Sequence, residues 1–200
     1  MALARRLHLI VLAAVVLLVA GCGGGGGSAG KTTGSTTTAS SAQAEPADAV
    51  VKTSEGSFTI RLDPKVSPHL VASFEKLARD GFYDGLIFHR IVPGFVIQGG
   101  DTSGNGTGGP GYTTVDPPPA DTQYVKGVVA MAKRGDEAPG TAGSQFFVVL
   151  GANVGLPPDY AVLGKVTSGM ATVDKIGKLG GPDEQPTRKV TIQKITIRET

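Results

Sequence analysis

The segment from Phe88 to Asp101 (FHRIVPGFVIQGGD) constrains the fold more than any other part of this 200-residue chain. It contains two apolar runs of strand length, and the Pro93-Gly94 pair between them is typical of a tight turn. The segment therefore predicts two β-strands, Leu86–Ile91 and Phe95–Gln98, on either side of that turn.

Side chains on a strand alternate between its two faces, so the neighbours of Arg90 can be assigned to faces. On this pattern Arg90 shares a face with Phe88, while Ile87, His89 and Ile91 point the other way. An arginine keeps its charge among apolar side chains because its pKa is too high for burial to neutralise it. Arg90 is therefore a surface residue, a structural ion-pair partner or a donor kept for a ligand.

Two further strands combine one neutral amide with apolar neighbours. In the predicted second strand Gln98 shares a face with Val96, and in the segment Gly143–Val149 Gln145 shares a face with Phe147. A repeated arrangement of this kind favours a binding role for Arg90 over that of an ordinary surface arginine.

Apolar periodicity predicts the rest of the fold. A helix begins with Ser67 as its cap and Pro68 in the first turn and ends at Gly81, and a second helix covers Met170–Lys178. Eight strands and two helices suggest an antiparallel sheet closed on itself, with the helices at its ends. The six remaining predicted strands are Ala49–Lys52, Ser57–Leu62, Val128–Ala132, Phe146–Leu150, Ala161–Val166 and Val190–Arg198.

Charge and cysteine content exclude several classes of function. The net charge of +2 gives no electrostatic case for binding nucleic acid. A single cysteine excludes an intramolecular disulfide and a cysteine-built metal site. The histidines at positions 8, 69 and 89 lack metal-ligand spacing, so we expect neither a metal nor a cofactor.

The glycine-rich stretch Gly104–Gly109 fits the G-x-G-x-x-G pattern of dinucleotide-binding proteins. Pro110-Gly111 follows it directly, so no helix can start there, and no βαβ unit surrounds it. A glycine-rich loop that borders a binding groove is favoured instead.

The N-terminal residues predict an exported, lipid-anchored protein. Arg5-Arg6 precedes the apolar run Leu9–Ala20, which is shorter than the about 20 residues that span a bilayer. The sequence Leu18–Cys22 (LVAGC) resembles a bacterial lipobox, which implies lipidation of Cys22 after cleavage. Residues 1–21 are thus predicted to be a signal peptide and 22–46 a flexible linker. An uncleaved signal anchor and a soluble secreted product are the alternatives.

Three motifs in residues 47–200 resemble the cyclophilin family of peptidyl-prolyl cis–trans isomerases. They are FHRIVPGFVIQGGD (88–101), GVVAMAKR (127–134) and GSQFFVVL (143–150), in the order and at the spacing typical of the family. The resemblance implies a mainly β fold, an eight-stranded closed antiparallel β-barrel capped by two helices. It places the substrate in a groove on the outer face of that barrel.

The resemblance also implies roles for particular residues. Arg90 would donate to the prolyl nitrogen and Gln98 would hold the substrate backbone or orient Arg90. The reaction breaks no bond, so it requires no nucleophile, metal or cofactor. The implied substrate-binding residues are Phe95, Val96, Ala132, Lys133, Gln145, Phe147, Leu156 and Tyr160.

Several positions depart from the usual family pattern. Val96 stands where methionine is frequent, and Tyr160 stands where histidine is frequent. Lys133-Arg134 replaces a common Asn-Ala pair and is expected to add two positive charges at the groove rim. No tryptophan precedes Leu156, so we expect weak binding of cyclosporin.

The predicted function is that of a monomeric isomerase assisting the folding of exported proteins at the outer face of the cytoplasmic membrane. Its partners would be proline-containing polypeptides, and the lipid on Cys22 would attach it to the membrane. Two alternatives remain at this point. One is a weakly catalytic or non-catalytic scaffold that binds proline peptides, and the other is a lipoprotein that binds a hydrophobic ligand inside its barrel.

Overall fold

The computed structural model describes residues 46–200, which form ten strands and two α-helices. The helices are α1 (Pro68–Arg79) and α2 (Met170–Gly177). The strands are β1 (Ala47–Thr53), β2 (Gly56–Leu62), β3 (Phe88–Val92), β4 (Val96–Gly99), β5 (Thr114–Val115), β6 (Val128–Met131), β7 (Thr141–Ala142), β8 (Phe146–Val149), β9 (Val162–Ser168) and β10 (Ile192–Glu199).

The predicted signal peptide, the lipidation site Cys22 and all of the predicted linker before Pro46 lie outside the described residues. Within residues 46–200, neither helix is long and apolar enough to cross a membrane.

Eight strands form one antiparallel sheet in the order β10-β1-β2-β9-β6-β8-β4-β3. The prediction of a mainly β fold is confirmed, but the prediction of a closed barrel is wrong. The sheet is an open, strongly curled half-barrel whose edge strands are β3 and β10. An isolated bridge between Ile87 and Thr191 joins these edges, together with a few backbone hydrogen bonds such as Phe88 N–H to Val190 C=O.

The main core fills the concave side of the sheet, where α1 and α2 cover it. Phe146 on β8 packs against three aromatic rings, with centroid distances of 6.1 Å to Phe74, 6.0 Å to Tyr83 and 5.9 Å to Phe88. Burial of a phenylalanine contributes about 1.5–3 kcal/mol, so this cluster holds the inward face of β8 in place. Because faces alternate, Phe147 must then point outward, as predicted.

The faces of β3 do not follow the predicted alternation. Phe88 pairs with Gly99 and Arg90 with Gln98, so a β-bulge places one extra residue, His89, between these pairs. Phe88 is consequently buried in the core with Ile91, whereas Arg90 lies on the outer face. The prediction that Arg90 and Phe88 share a face is wrong because a bulge shifts the alternation by one residue.

The first helix begins where predicted but is capped differently. Pro68 lies in its first turn, yet the buried Ser67 hydroxyl makes no capping bond and has no partner within residues 46–200. The backbone N–H of Leu70 instead donates to Oδ2 of Asp116 at 2.7 Å. The other Asp116 oxygen lies 2.8 Å from Nδ1 of His69. A carboxylate from a distant loop therefore supplies the cap that the sequence assigns to Ser67.

Candidate active site

A row of paired residues crosses four neighbouring strands on the outer face of the sheet. Arg90 on β3 pairs with Gln98 on β4, and Gln98 pairs with Phe147 on β8. Phe147 in turn pairs with Ala130 on β6. The sheet register thus brings together residues that are up to 57 positions apart in the chain (90 to 147).

A groove of about 290 Å³ opens above this row. Gly94 has a φ of +74°, and the N–H of Phe95 donates to the carbonyl of Val92, so the Pro93-Gly94 turn sets Phe95 at the rim. The groove is lined by every predicted catalytic or substrate-binding residue except Gln145, namely Arg90, Phe95, Val96, Gln98, Ala132, Lys133, Phe147, Leu156 and Tyr160.

The apolar end of the groove rests on Tyr124, which the sequence analysis missed. Tyr124 is fully buried, and its ring packs beside Phe147 and Tyr160 at centroid distances of 6.3 Å and 5.9 Å. Its hydroxyl donates to the Tyr160 carbonyl at 2.6 Å and accepts from the Tyr160 N–H at 3.0 Å. Burial raises the pKa of Tyr124 to about 12, although the hydrogen bond to Tyr160 opposes this shift. Tyr124 therefore fixes the position of the residue that closes the groove.

The polar end of the groove is a chain of side-chain hydrogen bonds. Nη1 of Arg90 donates to Oε1 of Gln98 at 3.5 Å, and Nε2 of Gln98 donates to Oε1 of Gln145 at 3.1 Å. Nε2 of Gln145 donates to the carbonyls of Gly106 and Gly108 at 3.0 Å and 2.9 Å. Gln145 lines an adjoining depression rather than the groove itself. These hydrogen bonds connect Arg90, through the side-chain amides of Gln98 and Gln145, to the backbone of the glycine-rich loop.

Arg90 has two further contacts that restrain its guanidinium. Its central carbon lies 5.7 Å from the centre of the Phe95 ring, within the range of a cation–π interaction. Its Nε donates to a carboxylate oxygen of Glu184, which the sequence analysis also missed. This hydrogen bond lowers the pKa of Glu184 and keeps the carboxylate charged. The side chain of Arg90 is one third exposed (32%), so a ligand in the groove can reach it.

Lys133 and Arg134, which are predicted to add two positive charges at the groove rim, both contact groups of their own loop. Arg134 forms ion pairs with Asp136 and Glu137, at 3.5 Å and 2.9 Å, so its charge is offset locally. Nζ of Lys133 donates to the carbonyls of Arg134 and Glu137 and lies 5.8 Å from the centre of the Tyr160 ring. Of these two residues, only Lys133 lines the groove, and its ammonium is turned back towards its own loop.

Comparison with known proteins identifies the family to which this site belongs. A family model described as cyclophilin type peptidyl-prolyl cis-trans isomerase/CLD matches residues 49–197. The chain belongs to the cyclophilin family. The resemblance stated from the sequence motifs, and the assignment as a cyclophilin-type isomerase, are thereby confirmed.

Individual cyclophilins resemble the chain over most of the described region. Peptidyl-prolyl cis-trans isomerase B of Bacillus subtilis is 49% identical over 110 residues, which cover 54% of this chain and 75% of that protein. The Helicobacter pylori isomerase is 40% identical over 136 residues, which cover 66% of this chain and 82% of that protein. A crystal structure of a Cryptosporidium parvum cyclophilin gives a TM-score of 0.71 at 28% identity and covers 78% and 99% of the two chains. The same parasite protein was also crystallised in the presence of the dipeptide Ala-Pro.

The glycine-rich loop of this cyclophilin borders the site, as predicted. Asp101 is buried and accepts backbone N–H groups of Ser103, Asn105 and Gly106 at 2.6–3.0 Å. Burial raises the pKa of Asp101, but the backbone hydrogen bonds outweigh that effect and hold it below its ordinary value. The loop is therefore organised around one carboxylate, and its carbonyls are left to accept from Gln145.

Metal chemistry was not expected for this cyclophilin. Residues 46–200 contain no group of three His, Cys, Asp or Glu side chains placed to hold a metal ion. His69 contacts Asp116 at the start of α1, and His89 is buried within β3. The two described histidines thus lie in separate structural settings.

Proposed function

We propose that the groove accelerates rotation about X-Pro peptide bonds and that Arg90 is the donor that stabilises the twisted amide. One observation supports this most directly. A permanently charged donor, held by Gln98 and Glu184, stands beside an apolar pocket walled by Phe147 and Tyr160. The pocket suits the ring of a proline, and the donor suits the nitrogen of that ring.

The chemistry of the reaction explains why a donor is sufficient. Partial double-bond character gives the peptide bond a rotation barrier of about 18–20 kcal/mol. When the bond twists, the prolyl nitrogen loses conjugation and its lone pair becomes a hydrogen-bond acceptor. A guanidinium N–H that bonds this lone pair only in the twisted state stabilises the transition state preferentially. Raising a rate from ~10⁻² to ~10² per second requires about 5.5 kcal/mol, which a few preorganised contacts can supply.

The remaining groove residues would hold the substrate in place. Phe95, Val96 and Leu156 complete the apolar walls around the proline. The N–H of Ala132 donates to the Gln145 carbonyl at 2.9 Å, which continues the pairing of β6 with β8 by one step. The next residue, Lys133, forms no backbone–backbone hydrogen bond within residues 46–200. An extended peptide can therefore pair with the backbone of Lys133 while its proline enters the pocket.

The isomerisation of a proline-containing peptide, followed by NMR exchange, tests this proposal. We expect the wild-type chain to accelerate exchange and Arg90→Ala to lose most of that acceleration. Arg61→Ala is the matched control, because Arg61 is also a strand arginine with a carboxylate partner, Asp48, but lies outside the groove. A wild-type chain that binds the peptide without accelerating exchange would support the scaffold alternative instead.

We further propose that the enzyme acts as a lipid-anchored monomer on exported polypeptides at the outer face of the cytoplasmic membrane. The support is sequence-based: the basic and apolar N-terminus, the LVAGC motif and the placement of the chain's single cysteine at position 22. Expression of the full chain with labelled palmitate tests the anchor. We expect label in the membrane fraction for the wild type and neither label nor membrane retention for Cys22→Ser, and equal fractionation of both proteins would contradict the proposal.

A further inference from the structure

The guanidinium of Arg90 is held from two sides. Nε donates to Glu184, and Nη1 donates to Gln98. An arginine carries five N–H donors, so these two bonds leave three donors for a substrate. The two contacts also differ in origin. Gln98 is the strand neighbour of Arg90 on β4, whereas Glu184 comes from a short 3₁₀ turn (Pro182–Glu184) 94 residues further along the chain.

The loop that carries Glu184 is closed by backbone hydrogen bonds. The N–H of Gly181 donates to the Gln185 carbonyl at 2.8 Å, and the N–H of Gln185 donates to the Pro182 carbonyl at 3.2 Å. A bridge between Gly180 and Pro186 closes the base of the loop. Glu184 is therefore presented to Arg90 by a loop with a defined backbone, although half of its side chain is exposed (50%).

The backbone of this loop is strained at the residue that meets Arg90. Asp183 and Glu184 have φ values of +57° and +61° and are the only non-glycine residues with positive φ within residues 46–200. Such conformations are costly for residues with a Cβ and persist where the surrounding structure enforces them, often at functional sites. The fold of the sheet does not explain why two successive strained residues lie beside the proposed donor.

We propose that Glu184 is a positioning residue that holds the guanidinium of Arg90 with its free N–H groups towards the groove. A long arginine side chain loses considerable rotamer freedom when it is fixed. If Glu184 fixes it before the substrate twists, that loss is not added to the barrier of the reaction. This inference rests on the proposed donor role of Arg90, and it predicts an effect on turnover rather than on peptide binding.

Three substitutions of Glu184 separate positioning from a structural role. Glu184→Ala removes the acceptor, Glu184→Gln keeps an acceptor oxygen without the charge, and Glu184→Gly removes the acceptor while relieving the positive φ. Asp183→Asn is the matched control, because Asp183 shares the strained loop and its charge but makes no ion pair within residues 46–200. Each variant is made in the full chain and measured on a proline peptide.

We expect Glu184→Ala and Glu184→Gly to lower kcat about 5- to 10-fold, with KM within about twofold of the wild-type value. Glu184→Gln should retain kcat within about twofold, and Asp183→Asn should be unchanged. The unfolding temperature of Glu184→Gly should equal or exceed that of the wild type, because a strained backbone is relieved. The NMR signal of the Arg90 Nε–H should be protected from solvent exchange in the wild type and lose that protection in Glu184→Ala.

Several results would overturn the inference. An unchanged kcat in Glu184→Ala would show that Arg90 needs no such partner. Equal losses in Glu184→Gln and Glu184→Ala would show that charge, not position, is what Glu184 supplies. A lowered unfolding temperature in Glu184→Gly that accompanies its loss of kcat would assign Glu184 a structural role. If Arg90→Ala itself keeps full activity, the failure lies in the proposed donor role and not in Glu184.

Discussion

Replacing Tyr124 with Phe removes one oxygen atom from the back of the groove and leaves the packed ring in place. That oxygen serves two backbone groups of Tyr160, the carbonyl at 2.6 Å and the N–H at 3.0 Å. An unsatisfied buried polar group costs about 1–3 kcal/mol. Because Tyr160 is partly exposed and water can replace some of the loss, we expect the lower end for each group, about 2 kcal/mol in total.

For a chain of this size, 2 kcal/mol corresponds to a fall in unfolding temperature of about 4–8 °C. Circular dichroism during heating measures this, with Tyr112→Phe as the control. Tyr112 is exposed, and its hydroxyl forms a surface hydrogen bond with Ser73, so its loss should cost less than about 0.5 kcal/mol. The KM for a proline peptide should also rise in Tyr124→Phe, because Tyr160 closes the groove. If Tyr124→Phe and Tyr112→Phe unfold at the same temperature, Tyr124 does not support Tyr160 as we argue.

Two further predictions concern stability. Asp116→Ala should lower the free energy of unfolding, measured with denaturant, by about 1–2 kcal/mol, because it removes the cap of α1. Ser67→Ala should change it by less than about 0.5 kcal/mol. A larger loss in Ser67→Ala than in Asp116→Ala would show that Ser67 is the cap. Alkaline pH should also destabilise the fold: since folding raises the pKa of Tyr124 to about 12, its contribution is complete below pH ~10 and is lost as the pH rises towards 12. The wild type should therefore lose stability more steeply than Tyr124→Phe across this range, and parallel curves would contradict the assignment.

Regular strands made much of the site predictable from the sequence. Gln145 and Phe147 follow strict alternation, and β8 is regular, so the predicted outward face of Phe147 is correct. The faces of Phe88 and Arg90 were predicted wrongly because β3 contains a bulge. A bulge depends on how β3 pairs with β4, and the sequence of one strand does not determine that pairing. The strands β5 and β7 were not predicted because two residues are too few to show any periodicity.

The residues that could not be predicted from the sequence were missed for one physical reason. Asp116, Tyr124 and Glu184 lie in connecting segments and act on partners 46, 36 and 94 positions away. No local pattern marks such residues, because their roles arise only when the sheet brings distant loops together. The open edge between β3 and β10 was missed for a similar reason, since strand count alone does not determine whether a sheet closes.

The central claim is that Arg90 stabilises the twisted amide and not the bound peptide. The most direct test is NMR exchange on a saturated complex, which gives the cis–trans rate on the enzyme and the Kd separately for wild type and Arg90→Ala. Loss of one preorganised transition-state donor typically costs 10²–10³-fold, so we predict a fall of about that size in the on-enzyme rate, with Kd changed less than about threefold. An unchanged on-enzyme rate, with any loss of activity explained by a weaker Kd, would contradict the account.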